Sequence, residues 1–283
     1  MIDLHVHTIY SDGEHSPKEI LELCKKRSIT VVGITDHNTV EGCKQAILQN
    51  PYEDITIIPG LEFEAKYDVK GANLHILGYN VDLNNKPLND ICNAIMEDNV
   101  MRLKSIVELL KSNYGLTFKD LDLDEIYSSI GNIGRPDIAR LCVEYGYATD
   151  IEESFKKYLI PIEDKIAKRK AELTDIACIE YIKNAGGIAC LAHPIELRMD
   201  MYTLKKYIKF LTDLGLEALE VYQSKHSKEY SEELLKIAKE NNLLCSVGSD
   251  YHGELITPDI ELGYGRNNNL HMNEASILSK ILR

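Results

Sequence analysis

The 283-residue chain is 44% hydrophobic and has a formal net charge of −13. These values suit a globular protein with a sizeable core and exclude a broad basic surface for long double-stranded nucleic acid. Its seven cysteines are scattered, odd in number and without a C-x-x-C pair, and no apolar run reaches membrane-spanning length. That argues against a disulfide framework or thiolate zinc site and for a cytoplasmic protein that does not engage a membrane.

The first expected strand is Ile2–His7, with Asp3, His5 and His7 on one face and Ile2, Leu4 and Val6 on the other. A helix over Ser16–Arg27 follows, with Ser16 as N-cap, Pro17 at N1 and Glu19 at N3. Strands are expected at Thr30–Thr35, Ile55–Ile58 and Leu74–Tyr79. From about 99 to 164 the pattern is helical. "VMRLKSIVELLKSNYG" puts Val100, Leu103, Val107 and Leu110 on one face, and "GRPDIARLCVEYG" offers Pro136 for N1 and Gly146 for C′. Beyond it come a helix over Thr174–Ala185, a strand at Gly187–Ala192, a strand at Ala218–Tyr222, a helix over Lys228–Asn241 and a strand at Leu243–Gly248.

Strand-helix alternation with apolar runs such as "TVVGIT" and "GIACLA" predicts an α/β fold of parallel strands buried on both faces. Seven strands suit a closed or nearly closed barrel, and an open sheet would give a similar pattern. The expected organisation is barrel at 1–98, a helical insertion subdomain at 99–164 that covers the site, and barrel again at 165–283.

Polar residues collect at the strand ends. "HVHTIYSDG" supplies His5, His7 and Asp12; "VVGITDHN" supplies His37; "IPGLEFEA" supplies Glu62; "NLHILGY" supplies His75. "IACLAHP" ends in His193, and "LCSVGSDYHG" ends in Asp250 and His252. Parallel barrels gather the C-terminal ends of their strands, where catalytic groups lie. His75 fits least well, because its strand continues past it. Six histidines and three carboxylates are too many for one zinc and suit two or three divalent ions, with zinc, manganese or iron favoured by nitrogen and oxygen donors without thiolate.

"DLHVHTIYSDG", "GITDHNTVEG", "PGLEFEA", "LHILGY", "LAHP" and "GSDYHG" resemble, in order, the motifs of the PHP family, named for polymerases and histidinol phosphatases. The resemblance implies a distorted (β/α)7 barrel with a trinuclear metal site that hydrolyses phosphoesters. "GRPDIARLCVEYG", "NAGGIACLAHP" and "LGLEALEVYQSKHS" are similar to the branch that acts on nucleoside 3′,5′-bisphosphates and short RNA ends. Carried over, it implies one metal on His5, His7, Glu62 and Asp250, a second on Glu62, His75 and His193, and a third on Asp12, His37 and His252. One departure is Asp137, where the branch commonly has His.

The chemistry expected is attack of a metal-bound hydroxide on the phosphorus of a small phosphorylated substrate, a nucleotide or short RNA. His226 is the candidate to protonate the leaving group or bind phosphate, and with Asp250 it completes the catalytic set. Arg135, Lys168 and Arg169 are candidates for a second phosphate, with Lys165 in the same basic run. Asp36 and Glu64 are expected to orient imidazoles, and His15 and His271 to be surface residues. The competing readings are a histidinol-phosphate phosphatase, a C–N amidohydrolase and a metal-binding accessory module of a polymerase.

Overall fold

The computed structural model describes residues 1–129, 131, 133–270 and 275–282, so His271 lies outside the described residues. In chain order these form β1 (Ile2–Val6), α1 (Pro17–Lys26), β2 (Val31–Ile34), α2 (Glu41–Gln49), β3 (Thr56–Ala65) and β4 (Leu74–Tyr79). A helical stretch follows, with α3 (Lys86–Tyr114), α4 (Asp120–Tyr127), α5 (Arg135–Glu144) and α6 (Ile151–Ser154). The remainder is α7 (Asp175–Asn184), β5 (Ile188–Leu191), α8 (Met201–Asp213), β6 (Ala218–Gln223), α9 (Lys228–Glu240), β7 (Leu244–Gly248) and α10 (Leu278–Ile281). Among the described residues no helix is long and apolar enough to cross a membrane.

The chain divides into two compact units, Met1–Asp90 with Leu173–Arg283, and Ile91–Glu172. The first is a nearly closed barrel whose seven strands follow one another in sequence order. The residues after β7 run beside the end of β1, where Asp250 N donates to His5 O at 2.9 Å and His7 N donates to Tyr251 O at 3.0 Å. Helix α1 starts where its sequence dictates: Ser16 Oγ accepts from Glu19 N, and Glu19 Oε2 accepts from Ser16 N at 2.7 Å. Its buried Ile20, Leu21 and Cys24 pack with Val32 and Ile34 of β2, while Leu4, Leu77, Tyr79 and Cys190 form a second core cluster.

Three features depart from the sequence reading. Strand β4 runs antiparallel to both β3 and β5, whereas β1–β2–β3 and β5–β6–β7 are parallel. Residues 66–73 join β3 to β4 as a hairpin, too short for the crossover that a parallel pair needs. Strand β3 also continues to Ala65, because its second half, Gly60–Ala65, pairs with β4 after its first half has paired with β2. Third, a register irregularity between Asp3 and Val6 breaks the alternation of β1. Asp3 is therefore not on the face of His5 and His7; its carboxylate accepts from Ser249 N, Ser249 Oγ and Gly263 N.

The second unit, Ile91–Glu172, takes in the 99–164 segment and is helical, with a core of Leu103, Ile106, Leu110, Ile138, Cys142 and Leu159. The segment after its last helical turn is tied back to α3, where Asp98 Oδ2 accepts from Lys170 N at 2.9 Å and Arg102 Nε donates to Ala167 O at 3.2 Å.

Candidate metal centre

β1 and the residue after it deliver the first two donors. His5 and His7 are fully buried and their Nε2 atoms lie 3.1 Å apart. His5 Nε2 is 3.2 Å from Glu62 Oε2 and 3.5 Å from Asp250 Oδ1; His7 Nε2 is 3.3 and 3.4 Å from the same two oxygens. A tetrahedron with arms of about 2.0–2.1 Å, the length of zinc bonds to imidazole nitrogen and carboxylate oxygen, has edges of about 3.3 Å. The five separations given, 3.1–3.5 Å, are therefore close to those a small divalent ion would set.

Glu62 faces the rest of the cluster with both oxygens. Its Oε1 is 3.2 Å from His75 Nδ1 and 2.9 Å from His193 Nε2, and its Oε2 is 3.1 Å from His37 Nδ1. The reversal of β4 explains His75: the start of an antiparallel strand lies level with the ends of its parallel neighbours, and His75 O accepts from Ala192 N just beyond β5. Asp12, on the loop after β1, is 3.3 Å from His252 Nε2, 3.6 Å from His7 Nδ1 and 3.8 Å from His37 Nε2. All nine residues thus converge.

Four buried atoms in this cluster, His37 Nδ1, Glu62 Oε2, His75 Nδ1 and His193 Nδ1, have no hydrogen-bond partner. A stranded buried polar atom costs about 1–3 kcal/mol, so their convergence marks a site built for a ligand that accepts lone pairs. Three donor groups meet that description: His5, His7, Glu62 and Asp250; His37, Glu62 and His75; and His7, Asp12, His37 and His252. A fourth, Glu14, His15 and Glu254, is already paired internally: His15 Nε2 lies 3.1 Å from Glu254 Oε2 and Glu14 Oε2 accepts from Leu255 N.

The charges are mutually compensating. Burial pushes the Glu62 carboxyl up, but His5, His75 and His37 outweigh it and hold the group well below the usual carboxylate range. Asp250 is likewise held down against burial by His5, His7 and His252. Burial disfavours a charged His7, yet Asp250, Glu62 and Asp12 raise it to about 10; His193 rises to about 9 against burial through Glu62. Without a cation, protons do the neutralising, and metal binding must displace them.

The other expected residues divide. Asp36 is buried and accepts from Thr8 N, Thr8 Oγ1 and Ser11 Oγ; Ser11 Oγ in turn lies 3.3 Å from His7 Nδ1. Glu64 Oε2 accepts from Asn38 Nδ2, beside His37. His15 is not a free surface residue, since its ring also meets Tyr251 Oη at 3.1 Å.

His226 is not brought into the cluster. It lines a separate cavity of about 480 Å³ with Tyr222, Lys228 and Leu235, its Nδ1 donates to Val221 O at 3.0 Å, and burial holds it down to about 4. Its Nδ1 is thus engaged by a backbone carbonyl, away from the donor cluster. Within the second unit, Arg135 pairs with Glu163 at 2.8 Å and lies over Phe155, while Lys168 and Arg169 are exposed. Asp137 is an N-terminal helix residue: its carboxylate accepts from Gly134 N at 2.7 Å and pairs with Arg140.

Sequence reasoning missed Glu220, Glu196 and Lys225. Glu196 and Lys225 form an ion pair beside the cluster, and Lys225 Nζ lies 3.7 Å from Asp250 Oδ2. Glu220 was detectable as a carboxylate inside the apolar strand run "ALEVY".

Residues 3–258 match the PHP domain family. The chain is 30% identical over 256 residues to the 5′-3′ exoribonuclease of Haemophilus influenzae, covering 88% of this chain and 89% of that protein. It is 26% identical over 257 residues to the 3′,5′-nucleoside bisphosphate phosphatase of Chromobacterium violaceum, covering 89% and 87%. A crystal structure from Bifidobacterium adolescentis, described as a metal-dependent phosphoesterase, matches with a TM-score of 0.73 at 26% identity, covering 99% of this chain and 95% of that one.

Proposed function

This chain belongs to the PHP domain family, and we propose that, as a metal-dependent hydrolase of phosphoric ester bonds, it removes the 3′-phosphate of nucleoside 3′,5′-bisphosphates and trims short RNA from the 5′ end. The observation that carries the reading is the convergence of nitrogen and oxygen donors from nine residues about Glu62, with four buried atoms that make no hydrogen bond. The substrate class is supported by the relatives named as a bisphosphate phosphatase and an exoribonuclease.

Two or three divalent ions, of manganese, zinc or iron, would be held by His5, His7, Glu62 and Asp250, by Glu62, His75 and His193, and by Asp12, His37 and His252. When bound, such ions lower the pKa of a coordinated water to roughly 7 and offset phosphate charge. The chain supplies the remainder. Glu62 presents an oxygen to each of two donor sets and so holds them at a fixed separation. Lys225 supplies a cation at a cavity of about 280 Å³ lined also by Asp12, His75 and Asp250. Local charge governs substrate at contact range despite the acidic chain, because screening acts over about 8 Å.

Phosphate release from adenosine 3′,5′-bisphosphate, histidinol phosphate and an aryl phosphate, with Mn²⁺ loaded, tests the reading. The bisphosphate is expected to react with a kcat/KM at least about tenfold above the others, a margin of about 1.4 kcal/mol in transition-state binding. Failure of all three with metal bound overturns the phosphatase reading, and preference for histidinol phosphate overturns the substrate.

A further inference from the structure

Glu220 on β6 is fully buried and belongs to none of the donor groups. Its Oε1 lies 2.9 Å from His5 Nδ1, and its Oε2 accepts from the backbone N–H of His193 at 2.7 Å. A carboxylate oxygen at this distance is an acceptor for the Nδ1 N–H of His5 and fixes the orientation of its ring. His5 Nε2 is thereby aimed at Glu62, Asp250 and His7, at 3.2, 3.5 and 3.1 Å.

The second contact holds an unusual backbone. His193 has φ 22° and ψ 65°, a conformation that a residue with a Cβ adopts only when its surroundings enforce it. β7 makes room for the arrangement with Gly248, where a Cβ would fall 2.1 Å from His5 Cβ and 2.9 Å from Glu220 Oε1. Three strands are thus shaped around one carboxylate.

We infer that Glu220 is the positioning residue of the metal centre. It sets the tautomer of His5 in one donor set and the backbone of His193 in another, so that the two sets load together. This rests on the metal reading of the preceding subsection.

Glu220→Gln keeps the volume but offers one acceptor and one NH₂. If the amide oxygen faces His5, the NH₂ opposes the N–H of His193. If the NH₂ faces His5, the ring proton moves to Nε2, the nitrogen that must bind metal. Wild type and Glu220→Gln are loaded with Zn²⁺ or Co²⁺, dialysed against graded chelator and read by elemental analysis, by the Co²⁺ absorption band and by ¹⁵N shifts of the His5 ring in the Zn²⁺ form. Expected is metal binding weakened about 10–100-fold, with the ions lost over one chelator range and a changed Co²⁺ spectrum. A folded Glu220→Gln protein with wild-type occupancy, spectrum and ring shifts overturns the proposal. Should that variant not fold, as judged by circular dichroism, Glu220→Asp, with both acceptors on a shorter stem, is read against the same outcomes. Wild-type protein that itself retains fewer than two ions overturns the metal reading instead, an outcome separated by its own arm.

Discussion

Replacing Glu62 by Gln removes the side chain that faces five of the cluster's six histidines. Its Oε2 faces His5, His7 and His37 at 3.2, 3.3 and 3.1 Å, and its Oε1 faces His75 and His193 at 3.2 and 2.9 Å. An amide has a single acceptor, so it serves one of these sets and turns an NH₂ towards the other. Removing one partner from a buried charge network costs about 3–5 kcal/mol. At about 1.4 kcal/mol per decade, that is about a 10²–10⁴-fold loss of metal affinity. Calorimetric titration of the metal-free protein with Mn²⁺ or Zn²⁺, alongside elemental analysis after dialysis, measures both affinity and stoichiometry. The expected result is the loss of at least one ion per chain at a metal concentration that saturates the wild type. A Glu62→Gln protein that binds the same number of ions within tenfold of wild-type affinity would refute a bridging role, and the polynuclear reading with it.

Two further outcomes concern groups around the site. His226, held down to about 4, binds fewer protons when folded than when unfolded, where its pKa is about 6.5. Its stabilising contribution is therefore intact above about pH 6.5, falls as pH drops and is gone below about 4, a change of about 3 kcal/mol. Denaturant unfolding at pH 7 and pH 4 should show the gap between wild type and His226→Gln moving by that amount; a gap independent of pH contradicts the burial argument. Gly248→Ala places a Cβ 2.1 Å from His5 Cβ, and overpacking of this kind costs about 1–3 kcal/mol. Reduced metal content and a lower melting temperature are expected, and an unchanged protein would show that β7 has slack at this position.

Much of the site was legible because its residues carry their chemistry in their identity. A strand that runs out through His-Val-His, and a second followed by Asp-Tyr-His, have no use for so many imidazoles in an ordinary core. They converge with Asp12, His37, Glu62, His75 and His193. The cap of α1 and the span of β4 were equally readable, being local patterns of turn residues and hydrophobicity. Asp3 misled because period-two alternation assumes a regular ladder, and β1 is irregular between Asp3 and Val6. The placement of His226 was not legible, because a histidine after a strand reads the same whether its ring is exposed or buried with Nδ1 on a carbonyl. Glu220 was overlooked because a lone acid in the apolar run "ALEVY" signals a buried carboxylate without showing what it touches.

By itself the sequence determined which donors exist and the strand that each one lies on or follows, since those depend on residue type and short-range periodicity. Which donors meet, and through which atoms, was decided by tertiary structure. The direction of β4 follows from a hairpin closing on β3, and it moves His75 from an apparent strand start to the rim shared by His193 and Glu62. Closure of β7 onto β1 sets Asp250 against His5 and His7 across more than two hundred residues of chain. Such contacts arise only when the whole barrel forms, because each buried charge is tolerable only with partners that other strands bring to it.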